Sequence, residues 1–286
     1  VFQFTTGRRA QNAVLLLAFG FNAISGTNGK EGVLDELNGR LHATGWGALA
    51  PAPAAPDMLP DSDVAIIDWL DFSQTLNPLG MPDAFGPALN LLTRNPITPE
   101  EERNAQAQIP ALLAKRYGVQ PGCVAVGASA TDVLAAVANS FEPRTVAVPV
   151  PSRAAYERCL GTAGHRIVEV PGPDGFVVPE PQAVDRMGLS FDAAMLANPA
   201  FPTSRLLARQ TLLDSLQACA WVIVDERGID LTLGGESAAS MLGDHSNLIV
   251  IRSLTDTFSL PGMPLSCALA HPAVAARISQ LVKRPA

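Results

Sequence analysis

Apolar and polar positions change rhythm along this 286-residue chain. From about Asp71 onward, wholly apolar short runs alternate with longer stretches in which apolar residues recur every three or four positions. "ERNAQAQIPALLAKRYGV" (102–119) has the helical spacing, with Gly118 as its stop signal. "CVAVGASATDVLAAVANSF" (123–141) predicts a short strand, a small-residue turn and a helix. "TVAVPVP" (145–151) predicts a strand, "SRAAYERCLGTAG" (152–164) a helix and "HRIVEVP" (165–171) a strand. "FDAAMLANP" (191–199) ends a strand, "SRLLARQTLLDSLQACA" (204–220) predicts a helix, and "WVIVDE" (221–226) and "LIVIRS" (248–253) predict strands. "HPAVAARISQLVKR" (271–284) predicts a last helix. Strands that are apolar on both faces and alternate with helices argue for a mostly parallel sheet covered on each side. The expected fold class is therefore α/β, a three-layer α/β/α domain.

The first 60 residues follow no such rhythm. "PAPAAPDMLP" (51–60) is rich in proline, which blocks helix continuation, and predicts an extended linker. The expected organisation is an N-terminal segment and linker over 1–60 and the main domain over 61–286. "GRRAQNAVLLLAFGFNAISG" (7–26) resembles a signal peptide, but its apolar run from Ala13 to Ala23 has 11 residues, too short to span a bilayer. That run is expected to be a buried part of the fold.

Composition narrows the function classes. The net charge is −7, with 27 acids against 20 bases and no basic cluster, so there is no electrostatic footprint for nucleic acid or an anionic membrane. Cys123, Cys159, Cys219 and Cys267 are widely spaced in apolar surroundings, with no C-x-x-C pair. They are expected as buried thiols in a reducing compartment, placing the chain in the cytoplasm. No metal site is expected. "ISGTNGKEG" (24–32) fails as a phosphate loop, because Glu31 follows Lys30 where a Ser or Thr must hold magnesium, and Ile24 replaces the first glycine.

In parallel sheets ligands bind beyond the carboxyl ends of the strands. The candidate site therefore comprises Gly127–Thr131, Asn198–Ser204, Asp225–Gly228 and Arg252–Asp256. With "LDFSQTLNPLGMP" (70–82), "VGASATDVL", "ANPAFPTS", "VIVDE" and "RSLTDTFSLPG" form an ordered series that resembles the fold-type-I pyridoxal-phosphate enzymes of aminotransferase class I/II. Within them, the series is most similar to the threonine-phosphate decarboxylase and histidinol-phosphate aminotransferase branch. The likeness covers about Leu70 to Arg277.

That resemblance implies pyridoxal 5′-phosphate as cofactor and assigns roles. Asp225 matches the carboxylate under the pyridine nitrogen. Ser129 and the backbone N–H groups from Ala128 to Thr131 match the phosphate cradle at a helix start, and Ser253 matches a phosphate-binding serine. The departures fall on the same set. The Schiff-base lysine position is Asp256, and an arginine that would bind phosphate is Pro264. Phe201 stands for the asparagine that would reach the ring hydroxyl, and Ser204 for the closing glycine of that motif. Gly228 replaces a supporting tyrosine, Arg153 the stacking aromatic and Asn95 the tyrosine expected to reach a neighbouring subunit. The chain's three lysines, Lys30, Lys115 and Lys283, offer no substitute. The resemblance also implies a C-terminal small domain with an arginine for a substrate carboxylate; the sequence ends at Ala286, short of it.

The reading that follows is a degenerate, non-catalytic relative acting as scaffold, subunit or regulator, with no catalytic residues and with the cofactor bound weakly and non-covalently if at all. One alternative is an active pyridoxal-phosphate-dependent aminotransferase or decarboxylase of amino-acid or cobalamin biosynthesis, taking a phosphorylated amino-acid-like ligand. Another is an enzyme of different chemistry that uses Asp225, Glu226 and Asp256 as acid and base. Against this last reading, Glu226 is expected at the surface and Asp256 as the N-cap of a helix beginning at Thr257. His42, His165, His245 and His271 are dispersed and pair with no nucleophile. The resemblance implies a two-fold homodimer, in which residues 13–23 are expected to be buried.

Overall fold

The computed structural model of the chain describes residues 77, 79–95, 97–171, 191–260 and 263–282. The N-terminal segment, the linker at 51–60, the apolar run at 13–23 and the boundary expected near residue 60 lie outside the described residues.

Among the described residues, two helices precede the first strand: α1 (Phe85–Arg94) and α2 (Pro99–Tyr117). Helix α2 begins with reciprocal capping: Thr98 Oγ1 accepts from the Glu101 N–H at 3.2 Å, and Glu101 Oε2 accepts from the Thr98 N–H at 2.8 Å. Pro99 occupies the first turn, where its missing N–H has no cost, and Gly118 ends the helix at φ 69°. After it come β1 (Val124–Gly127), α3 (Ala130–Ala138), β2 (Thr145–Val150), α4 (Ala154–Thr162) and β3 (Arg166–Pro171). Among the described residues there follow β4 (Ala193–Ala197), α5 (Arg209–Ala218), β5 (Trp221–Asp225), β6 (Leu248–Ser253), the single turn α6 (Leu254–Thr257), β7 (Ser266–Ala270) and α7 (Pro272–Leu281).

The strands form one seven-stranded sheet in the order β1-β7-β6-β5-β4-β2-β3. Pairs β2–β3, β2–β4, β4–β5 and β5–β6 are parallel, and β7 runs antiparallel between β1 and β6. Apolar rhythm alone does not single out β7 as a strand. Its direction follows from its connection: the one-turn α6 cannot carry the chain back along the sheet, as a parallel crossover requires.

Alternation within each strand explains why the runs are apolar throughout. Ala194, Leu196, Val222, Val224, Leu248 and Val250 pack on one face with α2 and α5. Met195, Ile223, Ile249 and Ile251 pack on the other with α3, α4 and α7. Both faces are covered, so neither parity of position is polar. Helix α5 starts five residues later than its pattern predicts, because Ser204 takes φ 57° and the Leu207 N–H goes to Asn198 Oδ1 at 3.1 Å. All four cysteines are free thiols, three of them buried as expected and Cys123 half-buried in the turn before β1. Where β1 turns into α3, a Cβ on Gly127 would lie 2.6 Å from Val133 and 2.9 Å from Val282, so only glycine fits. Among the described residues no helix is long and apolar enough to cross a membrane.

Candidate functional site

Because β1 and β6 flank the antiparallel β7, the carboxyl ends of β1, β2, β4, β5 and β6 open on one edge of the sheet. Asp225 closes β5 there and is buried. Tyr156, on the first turn of α4, donates its hydroxyl proton to Asp225 Oδ2 at 2.7 Å. The Arg227 backbone N–H donates to Asp225 Oδ1 at 3.1 Å. The Arg227 side chain doubles back on the same carboxylate, its Nε 3.0 Å from Oδ1 and 2.9 Å from Oδ2, with Nη2 also donating to Oδ2. Burial pushes the Asp225 carboxyl up, but the Arg227 guanidinium, the Arg153 charge and the Tyr156 hydroxyl together outweigh it and hold the group below the usual carboxylate range. Burial likewise opposes the charge on Arg227, and Asp225, with Tyr156 and Asp256, more than restores it.

Asp256 sits beside this pair in the turn α6 and is nearly buried. It is not the N-cap of a helix beginning at Thr257. Ser253 is the cap, its Oγ accepting from the Asp256 N–H at 3.5 Å, and Asp256 is the third residue of the turn. Burial raises the Asp256 pKa; the Arg227 charge, the Ser253 hydrogen bond and the Arg153 charge oppose it without cancelling it. Asn77 clamps this turn from outside: its N–H donates to the Asp256 carbonyl at 3.1 Å and its Nδ2 to the Thr257 carbonyl at 2.9 Å.

Ser129 caps α3, accepting from the Asp132 N–H at 3.1 Å and donating its hydroxyl proton to Asp132 Oδ2 at 2.7 Å. Ala128 precedes it at the helix start. Arg153 and Phe201, the replacements for the stacking aromatic and the asparagine, pack on each other, with the guanidinium 4.2 Å from the ring centroid. Gly228 lies against Pro199. Asn95 is exposed at the end of α1, and Lys115, the one lysine among the described residues, is exposed on α2.

Glu226 is not at the surface. It is buried, and its carboxylate accepts from Arg252 Nη1 at 2.8 Å, Ser237 Oγ at 2.6 Å and the Ala238 N–H at 2.7 Å. Arg252 also pairs with Asp230 through Nη2 and stacks 4.6 Å from the Tyr117 ring centroid. Asn198 ties the network to the loop after β4, donating to Glu226 Oε1 at 3.3 Å. His165 is a buried structural residue, its Nδ1 accepting from the Arg144 N–H at 3.0 Å and its Nε2 lying 2.7 Å from the Ala138 carbonyl. An apolar cavity of about 340 Å³ adjoins Tyr156, walled by Pro149, Pro151, Met195, Phe201 and Leu206. Among the described residues no cluster of three or more His, Cys, Asp or Glu could hold a metal ion.

Tyr156 is the residue of this cluster that the strand-end rule did not bring out. Arg227 stood within the stretch Asp225–Gly228 without a role of its own; a cation two places past an acid that ends a strand is able to fold back on it, and only the fold shows that it does. Tyr156 carries no local signal, because only packing of α4 on the sheet brings its hydroxyl to β5.

The family model for aminotransferase class I and II matches residues 105–285. A histidinol-phosphate aminotransferase of Aromatoleum aromaticum is 28% identical over 170 residues, 58% of this chain and 47% of that protein. A threonine-phosphate decarboxylase of Salmonella typhimurium is 27% identical over 206 residues, 68% of this chain and 55% of that protein. The crystal structure of the histidinol-phosphate aminotransferase from Clostridium acetobutylicum superposes with a TM-score of 0.62 at 19% identity, covering 74% of this chain and 64% of that one. The chain spans about half the length of the first of these relatives. Matched over more than half its length by the family model, and folded as the α/β sheet those enzymes share, the chain belongs to the aminotransferase class I and II family.

Proposed function

We propose that this chain is a non-catalytic member of its family, a scaffold, subunit or regulator that keeps the large-domain fold. The observation that carries this reading is the pairing of Asp225 with Arg227 beside Asp256. Pyridoxal 5′-phosphate, held as the resemblance implies, takes an amine at position 256 and a carboxylate at 225 free to meet the ring nitrogen. Here position 256 carries a carboxylate, which forms no imine, and the carboxylate at 225 already has a guanidinium on both oxygens. These residues do not fit the group. The N–H groups after Ala128 still open the start of α3, but the Ser129 hydroxyl already donates to Asp132 and Ser253 Oγ already caps the turn of Asp256, which is why only weak, non-covalent binding belongs to the reading. A two-fold homodimer is part of the same proposal, read by light scattering.

The experiment is an absorbance spectrum of purified protein with added pyridoxal phosphate, followed by borohydride and mass spectrometry. The expected result is no reducible chromophore. An adduct trapped on Lys30, Lys115 or Lys283, with turnover of a phosphorylated amino acid, would instead establish an active aminotransferase or decarboxylase.

One observation favours a second reading, carboxylate-based acid–base chemistry: Asp225 is held below the usual range while Asp256 is raised above it. Carboxylates pushed apart in this way are how one site keeps an acid and a base together. Any hydrolytic or isomerase activity abolished by Asp256→Asn in a folded protein would move the assignment there.

A further inference from the structure

Asp225 makes more contacts than a structural carboxylate needs, and their division is informative. A carboxylate offers about four acceptor directions. The Tyr156 hydroxyl and the Arg227 backbone N–H take two of them, and both come from the scaffold: a helix turn and a turn of the main chain. The remaining acceptor capacity is taken by one flexible side chain, the Arg227 fork, through Nε and Nη2. A planar N–H cation is what those directions admit, and guanidinium is such a cation. The carboxylate side chain is 3% exposed and the guanidinium side chain 13%, so the pair is shielded from competing water and salt.

We infer that Asp225 is a built seat for a planar nitrogen cation, and that in this chain Arg227 is its resident occupant, closing the seat to a pyridinium-type ligand. The inference rests on the reading given above that position 225 is the ring-nitrogen carboxylate of the family. It adds the agent that shuts the position and a way to reopen it. The tether is short, since Arg227 follows Asp225 by two residues in the same turn, so the occupant is present whenever the chain is folded. The ligand class that matches the seat is a pyridinium-type ring cation, and a pyridine phosphate without an aldehyde probes it.

The test uses pyridoxine 5′-phosphate, which has the ring nitrogen and phosphate but no aldehyde, titrated by calorimetry into the wild-type chain and Arg227→Ala. A ligand must break a charge-assisted pair in the wild type and not in the variant, so Arg227→Ala should bind at least about tenfold more tightly. Adding Asp225→Asn to Arg227→Ala should remove the gain. If Arg227→Ala does not fold, Arg227→Gln, which keeps a donor beside Asp225, is read instead and should still bind at least about threefold more tightly than wild type. Equal affinity of wild type and a folded variant, no binding by the folded variant, or a gain that survives Asp225→Asn overturns the inference. Because the probe forms no imine, equal affinity would do so while leaving the non-catalytic reading standing, whereas an imine trapped on a lysine would strike that reading itself.

Discussion

Glu226 and Arg252 meet at 2.8 Å between the ends of adjacent strands β5 and β6, with side chains 0% and 3% exposed. Asp230 takes the second arm of the same guanidinium, and Arg116 approaches Asp230 at 3.5 Å. Thr257 Oγ1 donates to Asp230 Oδ2 at 3.2 Å, which ties the network to the turn that carries Asp256. Removing Arg252 would leave the Glu226 carboxylate buried without its cation. Arg252→Leu should therefore cost about 3–5 kcal/mol in urea unfolding. The double change Arg252→Leu with Glu226→Leu should cost less than the sum of the two single changes, because no charge is then stranded.

Asp225 and Asp256 should shape stability against pH in opposite senses. Asp225 titrates lower in the folded chain than in the unfolded one. Its contribution is present above the unfolded-state value of about 3.9 and is lost as pH falls through the lowered folded value. Asp256 titrates higher when folded, so its contribution is complete at acid pH and is lost as pH rises from the unfolded value through the raised one. Thermal melts across pH should show Asp256→Asn more stable than wild type at neutral pH and equal to it in acid. Asp225→Asn should show its loss at neutral pH and not in acid.

Asp256→Lys alone should give no turnover of threonine phosphate or histidinol phosphate, measured by product formation. The new amine would stand beside an Asp225 still held by Arg227, and Phe201, Gly228, Arg153 and Pro264 would be unchanged. Misplacement of a reacting group by about 1 Å costs on the order of 100-fold in rate. Substantial turnover from the single change would show that these surrounding replacements are tolerated.

Ser204 holds φ 57°, a left-handed backbone, at the position where the family resemblance expects glycine. The turn persists because Ala200 and residues 204–205 close it from both sides, the Ser204 N–H donating to the Ala200 carbonyl and the Ala200 N–H to the Arg205 carbonyl, each at 2.7 Å. The exposed side chain has only the strain to lose. Ser204→Gly should raise stability by up to about 1 kcal/mol, since the relief of left-handed strain exceeds the entropy glycine adds to the unfolded chain.

The alternation of apolar runs and helical spacing determined the α/β class by itself, because strands covered on both faces have no polar parity and helices between them must bury one stripe. The end of α2 was equally local, marked by Gly118, whereas its start lies three residues before the pattern read from Glu102, at the Thr98 cap. The order of strand-end motifs placed Ser129, Asp225, Ser253 and Asp256 in one region, and the sheet brings their strands' ends to one edge. What the sequence left open was decided by contacts between segments distant in the chain or by where a side chain turns. The direction of β7 depends on a connection whose one helical turn, α6, does not carry the chain back along the sheet. The burial of Glu226 depends on Arg252 arriving from the neighbouring strand, and the capping of α6 by Ser253 moved Asp256 from a helix start into the turn itself. Arg227 reads as one more surface charge after a strand until the fold shows that it points back, because an isolated buried carboxylate is too costly to leave unpaired and the nearest cation in the chain is two residues away.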